Sequence, residues 1–277
     1  MRTALFAYNF AHKKTEDFLV RLCLTGNLPE IVVASPPVRL DLPKTVLKDK
    51  YRHIGTLSPE EICGRLQVPY LETAHEDKTL PLILKEKGIE AGIIAGARIL
   101  KNYLIESLPK GIINFHPGLI PENRGLNAVK WAVALDVQQG MTVHLINNRV
   151  DHGEIIDRYI VPVFSHDTIR DINERITELQ TAVLPASLEK VGGAMGGFGQ
   201  VDGDYGYHPP ADESIDKKVM SSFKSYLKKW AVDENGHLCM CRNPLTKDMI
   251  CGKCGRKYTI LEINGLKILK ETVPSKG

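Results

Sequence analysis

Three short apolar runs constrain the fold of this chain more than any other feature. TALFAYNF (3–10), EIVVAS (30–35) and AGIIAGA (91–97) are rich in Val, Ile and Ala and bounded by turn residues, the pattern of strands buried on both faces of a parallel sheet. Helix-length segments separate them. KTEDFLVRLCLTG (14–26) opens on a Thr followed by acids, closes on Gly26, and carries Phe18, Leu19, Leu22 and Cys23 at helical spacing. SPEEICGRL (58–66) offers a Ser N-cap with acids in its first turn, where the positive end of the helix dipole favours them. Strand alternating with helix predicts an α/β fold, a mostly parallel sheet with helices on both faces.

Two further strands, GIINF (111–115) and GMTVHLI (140–146), flank a helix LNAVKWAVALDV (126–137) that groups Val129, Ala132, Val133 and Val137 on one face. TIRDINERITELQTAVLPASLEKV (168–191) reads as a long amphipathic helix with a Thr start. The stretch 192–214 is dense in Gly, Pro and Asp, and DKKVMSSFKSYLKKWAV (216–232) is helix-like again. The expected organisation is a first domain over 1–191, a Gly/Pro-rich loop or linker over 192–216, and a helix with a cysteine-bearing tail over 217–277.

Composition sets the outer limits. A chain of 277 residues, 43% apolar and 25% charged, can bury one full-sized core with room for a small second one. A net charge of +3 with scattered Lys and Arg leaves no electrostatic footprint for nucleic acid, which is not an expected partner. MRTALFAYNF is not followed by a small-residue cleavage site before the charged HKKTED, so it reads as a first strand rather than a signal sequence. No apolar run approaches the roughly 18 residues of a membrane span. Six cysteines, four of them crowded at one end, suit a metal site in a reducing cytosol better than a secreted disulfide framework. The expectation is a soluble, cytoplasmic protein with no membrane partner. The oligomeric state stays open, a homodimer included.

The chemistry concentrates in INFHPGLIPENRG (113–125), at the end of an apolar run. Ligands in open α/β sheets sit beyond the carboxyl ends of strands. Asn114 and His116 are two apart, so strand geometry turns both to one face while Phe115 points into the core. Taken alone, the pair also fits a turn-closing Asn and a satisfied loop His. In context, Asn114, His116, Pro117, Pro121, Arg124 and Gly125, followed by GMTVHLINNRVDHGEII (140–156), resemble the folate-dependent formyltransferase family. Its pattern runs roughly N-x-H-P-S/G-L-L/I-P-x-x-R-G, then T-x-H, then D-x-G-x-I. The 35 positions from His116 to Asp151 match the family's spacing. The resemblance is strong over 80–160 and weaker over the rest of the first 215 residues.

The resemblance implies a Rossmann-like sheet and transfer of a formyl group from N10-formyltetrahydrofolate to a primary amine. In the family's terms Asn114 donates its amide to the formyl oxygen, and His116, when protonated, donates beside it. One such donor is worth about 3 kcal/mol in acyl transfer. Asp151 holds the charged imidazole and accepts the proton of the amine, directly or through water. IIAGARIL (93–100) matches the family segment whose backbone lines the pteridine pocket, which nominates Gly96, Ala97, Arg98, Ile99 and Leu100; Arg98 also fits a surface salt bridge. Arg124 and Gly125 order the loop or touch substrate, His144 supports Asp151 or carries a proton, and His152 is expected in solvent.

The acceptor is narrowed by what is missing. AYNFAHKKTEDF, after the first strand, contains no glycine, which argues against the Gly-rich phosphate cradle used by relatives acting on glycinamide ribotide. MRTALFAYNF and GDYGYHPPADESID (203–216) are similar instead to relatives that formylate amino sugars on nucleotide carriers, or to methionyl-tRNA enzymes. Weak basic character favours the first, a small-molecule sugar nucleotide, because phosphate contacts dominate nucleic-acid affinity. Lys13 and Lys14 either meet its diphosphate or begin a solvated helix. The competing readings are a formyltetrahydrofolate hydrolase, a methionyl-tRNA-type enzyme and a non-catalytic scaffold.

The tail HLCMCRNPLTKDMICGKCGRKYTI places Cys239 and Cys241 before a C-x-x-C-G knuckle at Cys251 and Cys254. Two such pairs suggest a tetrahedral structural zinc; His237 could replace one ligand, and free thiols are the alternative. KYTILEINGLKIL with its Asn264-Gly265 turn resembles a small zinc ribbon. Four thiolates close the site to chemistry, which leaves it stability or docking. Cys23 and Cys63 are expected in the core.

Overall fold

The first strand alternates between two cores. In β1 (Thr3–Tyr8), Leu5 and Ala7 join one buried cluster and Ala4 and Phe6 another, so the strand is covered on both faces. The computed structural model describes residues 1–38, 41–51, 53–193, 197–199, 203, 205–233 and 237–273. Parts of the predicted Gly/Pro-rich loop, 194–196, 200–202 and 204, lie outside them. After β1 come α1 (Lys13–Leu24), β2 (Ile31–Ser35), α2 (Pro59–Leu66), β3 (Tyr70–Glu72), α3 (Leu80–Glu86), β4 (Ala91–Ile94), α4 (Asn102–Ile105) and β5 (Ile112–His116). Then follow β6 (Arg124–Gly125), α5 (Ala128–Leu135), β7 (Gly140–Leu145), β8 (Ile155–Ile160), α6 (Ile169–Gly193), β9 (Tyr207–His208), α7 (Glu213–Trp230), β10 (Tyr258–Ile263) and β11 (Leu266–Glu271).

A nine-stranded sheet runs β10-β11-β8-β7-β5-β4-β1-β2-β3. The half from β3 to β5 is parallel, as the buried apolar runs require, and bears the Rossmann-like character. Beyond β5 every neighbour is antiparallel. Helices cover both faces: Phe18, Leu19 and Leu22 of α1 and the Ile172–Val191 stripe of α6 pack in one core, and Leu80, Leu84 and Leu104 of α3 and α4 in the other.

Local chemistry explains several boundaries. Ser58 accepts from the Glu61 amide while the Glu61 carboxylate returns to the Ser58 amide, a capping box that satisfies two donors of the first turn. Helix α5 stops at Leu135 because Asp136 turns left-handed, with φ of 56°; Val137 therefore lies beyond it and is half-buried rather than on its inner face. Cys63 is buried as expected, whereas Cys23 is exposed: the inner face of α1 is filled by Phe18, Leu19 and Leu22. β3 and β8 carry no strand signature in the sequence strong enough to be expected. The β10–β11 hairpin, turned through Asn264 and Gly265 at positive φ, pairs with β8 and extends the main sheet, a placement that no local pattern announces. No helix among the described residues is long and apolar enough to cross a membrane.

Candidate active site

β5 delivers the polar pair as its alternation demands. Phe115 is buried and meets Phe18 edge-on with ring centroids 5.2 Å apart, while Asn114 and His116 share the other face. Asp151 reaches them from the turn between β7 and β8, where its φ is 48°. That turn needs the glycine that follows it, since a Cβ on Gly153 would lie 1.5 Å from the Leu145 carbonyl oxygen.

The three groups form a tight cluster. His116 Nδ1 stands 3.4 Å from Asp151 Oδ2, and Asn114 Nδ2 is 3.4 Å from Asp151 Oδ1. His144, on the neighbouring strand directly opposite Asn114, is fully buried; its Nε2 lies 3.1 Å from Asn114 Nδ2 and 3.7 Å from Asp151 Oδ1. His144 is thus part of the cluster. His116 is 3% exposed, and its Nε2 donates to the Asn123 carbonyl at 2.8 Å. Both imidazole nitrogens are therefore engaged, one by the loop 117–125 and one by Asp151. His152 is half-buried rather than fully in solvent.

The same loop is held from several sides. The Gly125 amide donates to Asp151 Oδ2 at 3.0 Å, and the buried Arg124 guanidinium donates to the Val150 carbonyl from Nε and Nη2. Thr142 Oγ1 accepts from the Ile120 amide and donates to the Gly118 carbonyl. The Ile120-Pro121 peptide is cis. Gly125, with φ of 105°, admits no side chain because a Cβ would sit 2.1 Å from the His208 carbonyl oxygen across the β6–β9 pairing.

Electrostatics follow from burial. Burial pushes Asp151 up, but His116, His144 and the Gly125 amide together hold it well below the usual carboxylate range. Burial pulls His116 below the usual imidazole value, with Asp151 and the Asn123 carbonyl pulling the other way. Lys14, in the first turn of α1, is the group whose role was least legible. Its Nζ donates to the Phe115 carbonyl at 3.2 Å, beside Gln180 Nε2 at 2.8 Å. Burial and the neighbouring Lys50 push it down to about 7, against the pull of Asp151. His12 is pushed down to about 4 by burial, Lys14 and Lys50.

Lys14 and Lys50 line a cleft of about 470 Å³ that adjoins the cluster at Pro117 and is also walled by His12, His53, Gln180, Asp49 and Glu174. One wall is formed by Asp49, Lys50, Tyr51, His53 and Thr56, and Asp216 pins the chain just before them by accepting from the Val46 and Leu47 amides and from Lys130 Nζ, at 2.7, 2.9 and 2.7 Å. Lys13 also lines the cleft but is paired with Asp17 on its own helix.

Residues 96–100 sit at the carboxyl end of β4, beside the end of β5. The Ala97 carbonyl accepts from Tyr8, Leu100 is buried, and Ile99 is 71% exposed. Gly96 packs on the Tyr8 ring, where a Cβ would come within 2.8 Å. Arg98 is half-buried.

At the far edge of the sheet the sulfurs of Cys239, Cys241, Cys251 and Cys254 lie within 4.8 Å of one another. Their close pairs are 3.3 to 3.6 Å apart, too long for disulfides and near the roughly 3.8 Å between sulfurs of a tetrahedron with 2.3 Å metal bonds. His237 is not among the clustered ligands.

Polar groups of this composition, beyond the carboxyl ends of an open α/β sheet, have the chemistry to stabilise an oxyanion and move a proton. The particular family follows from comparison: the formyl transferase family model matches residues 48–188, and the chain belongs to that family. It is 27% identical over 215 residues to a methionyl-tRNA formyltransferase of Borreliella burgdorferi, covering 71% of this chain and 64% of that one. It is 35% identical over 117 residues to the trifunctional purine biosynthetic protein adenosine-3 of Gallus gallus, covering 42% of this chain and 12% of the relative. The chain thus spans only a minor part of such trifunctional relatives. Among solved structures, a sugar N-formyltransferase from Shewanella sp FDAARGOS_354 superposes with a TM-score of 0.54 at 19% identity, covering 100% of this chain and 98% of that one. A phosphoribosylglycinamide formyltransferase from Bacillus Halodurans gives 0.54 at 23% identity, covering 69% of this chain and 95% of that one. These likenesses are of fold.

Proposed function

We propose that the chain moves a formyl group from N10-formyltetrahydrofolate to the primary amine of a small anionic acceptor, an amino sugar on a nucleotide carrier. The observation that carries this reading is the Asn114–His116–Asp151 cluster beside a cleft in which Lys14 and Lys50 stand alongside Asp49 and Glu174. The exposed Ile99 and the backbone of 96–100 offer a flat apolar ledge for a pteridine, and the folate co-substrate supplies the formyl carbon.

The neutral amine attacks that carbon and its oxygen becomes an oxyanion. Asn114 Nδ2 turns from His144 to donate to it, and His116 Nε2 exchanges the Asn123 carbonyl for the same oxygen. The ammonium formed on the attacking nitrogen loses its proton to Asp151, directly or through water. The oxyanion then collapses to the carbonyl of the new formamide as the C–N bond to folate breaks. The folate nitrogen takes the proton that Asp151 received, directly or through water, which returns Asp151 to its charged form and balances atoms and charge. Lys14, Lys50 and His53 meet the diphosphate of the acceptor, where a bound anion would favour the charged form of Lys14.

The cysteine cluster fits a structural zinc held by four thiolates, with no open position for substrate. The test is tetrahydrofolate release with and without a panel of nucleotide-linked amino sugars. Release that depends on the amine supports transfer; release that ignores it makes the protein a formyltetrahydrofolate hydrolase.

A further inference from the structure

The cysteine cluster and the loop 117–125 are more than 110 positions apart in sequence, yet they share a core and a charge network. Leu119 of the loop packs in one cluster with Cys239, Cys251, Tyr258, Leu269 and Ile160. Three residues on, Glu122 Oε2 accepts from Nη2 of Arg158 at 2.8 Å. Arg158, on β8, is fully buried, and its Nη1 lies 3.4 Å from Oε2 of Glu271 on β11. Glu271 in turn meets Arg256 at 3.3 Å, two residues past Cys254. The residue after Glu122 is Asn123, whose carbonyl accepts from His116.

A fully buried guanidinium between two carboxylates is a poor way to gain stability, because apolar residues of the same volume commonly do as well or better. What it supplies is position. Its Nη2 hydrogen-bonds the loop carboxylate while its Nη1 faces the hairpin carboxylate at ion-pair distance without a hydrogen bond, so one rigid planar group lies between loop and hairpin.

We infer that the cysteine ribbon is a metal-dependent clamp on the catalytic loop, with Arg158 as the positioning residue that ties one to the other. The consequence for turnover rests on the formyl-transfer reading above; the clamp itself does not. A divalent ion on the four thiolates holds Cys239 and Cys251 against Leu119 and fixes the hairpin that carries Glu271. Without the ion, or without either partner of Arg158, the loop no longer holds Asn123 and Gly125 at their distances from His116 and Asp151. The ribbon then acts on rate through loop geometry rather than through contact with substrate.

The test compares amide hydrogen exchange of the full chain, zinc-loaded and chelator-depleted, with Glu122→Gln and Arg158→Lys in the zinc-loaded form. Depletion should speed exchange in 117–126 by about tenfold while β1 and β2 stay protected. Glu122→Gln should loosen the same segment with all four thiols still metal-bound. With substrates present, both changes should lower kcat by about tenfold to a hundredfold with the folate KM little moved, and zinc re-addition should restore the depleted protein. Exchange changes confined to 237–273, or a Glu122→Gln protein that loses only thermal stability at unchanged kcat, would overturn the clamp. If depletion unfolds the whole chain, the two substitutions decide by the same readouts. A wild type that transfers formyl to no amine refutes the functional reading, and the exchange comparison still decides the clamp.

Discussion

Replacing Asp151 by Asn removes one charge from the centre of the cluster and almost nothing from its shape. The Asn oxygen can still accept from the Gly125 amide, now 3.0 Å away, and the turn at positive φ tolerates Asn. The charge is nonetheless favoured by His116, His144 and the Gly125 amide, so losing it should cost stability too, about 2–3 kcal/mol, or roughly 8 °C in melting temperature for a chain of this size. The effect on catalysis is larger. A full charge 3.4 Å from a protonated His116 is worth about 5 kcal/mol at an effective dielectric of 20, and the proton acceptor is lost as well. General base catalysis contributes about 10² to 10⁴ in rate, so kcat/KM should fall by that factor, about 3 to 5 kcal/mol of activation free energy. Burial already lowers His116, and without Asp151 its charged form loses its chief support; the residual rate should favour lower pH. The assay is initial-rate tetrahydrofolate release alongside a melting curve. A variant within threefold of wild type would refute the role given to Asp151.

Asn114→Ala should lower kcat by about 10²- to 10³-fold, the value of one oxyanion donor, with acceptor KM nearly constant; a pure KM effect would contradict it. Lys14, held near 7, is charged below that pH and neutral above it, so the acceptor KM should rise as pH passes 7. In Lys14→Arg that rise should flatten, and a flat wild-type profile would deny Lys14 a place at the anion. Lys130→Met strands the buried Asp216 carboxylate, which should cost about 3–5 kcal/mol and roughly 10 °C, read by thermal unfolding. The Asp216 carboxyl is held at about 2, burial opposing while Lys130 and three donors from 45–47 prevail. Its stabilisation is complete above about pH 4 and lost as pH falls toward 2, so an acid melting curve with no such loss would contradict the account.

The parallel half of the sheet was legible because burial on two faces leaves one readable signature, a short run of Val, Ile and Ala. The Asn114–His116 pair was legible for a similar reason, since period-two alternation needs only local sequence. Asp151 was not readable that way. It reaches the pair through a left-handed turn and a glycine that clears the Leu145 carbonyl, and only the resemblance pointed to it. Lys14 read more readily as a solvated helix start, because burial of its ammonium depends on Phe115 and Gln180, far away in sequence. Arg158 left no trace: its partners Glu122 and Glu271 lie 36 and 113 positions away, and β8 has too few alternating residues to mark a buried charge. The cysteine spacing was plain, whereas the pairing of its hairpin with β8 is a tertiary choice that no local pattern encodes.

The most direct test of the central claim is formyl transfer by wild type and His116→Ala, measured as tetrahydrofolate released from N10-formyltetrahydrofolate with and without a nucleotide-linked amino sugar. The structure predicts release that requires the amine, equals formamide formed, and falls at least about a hundredfold in the variant. Equal release by both proteins, or release indifferent to the amine, would contradict it.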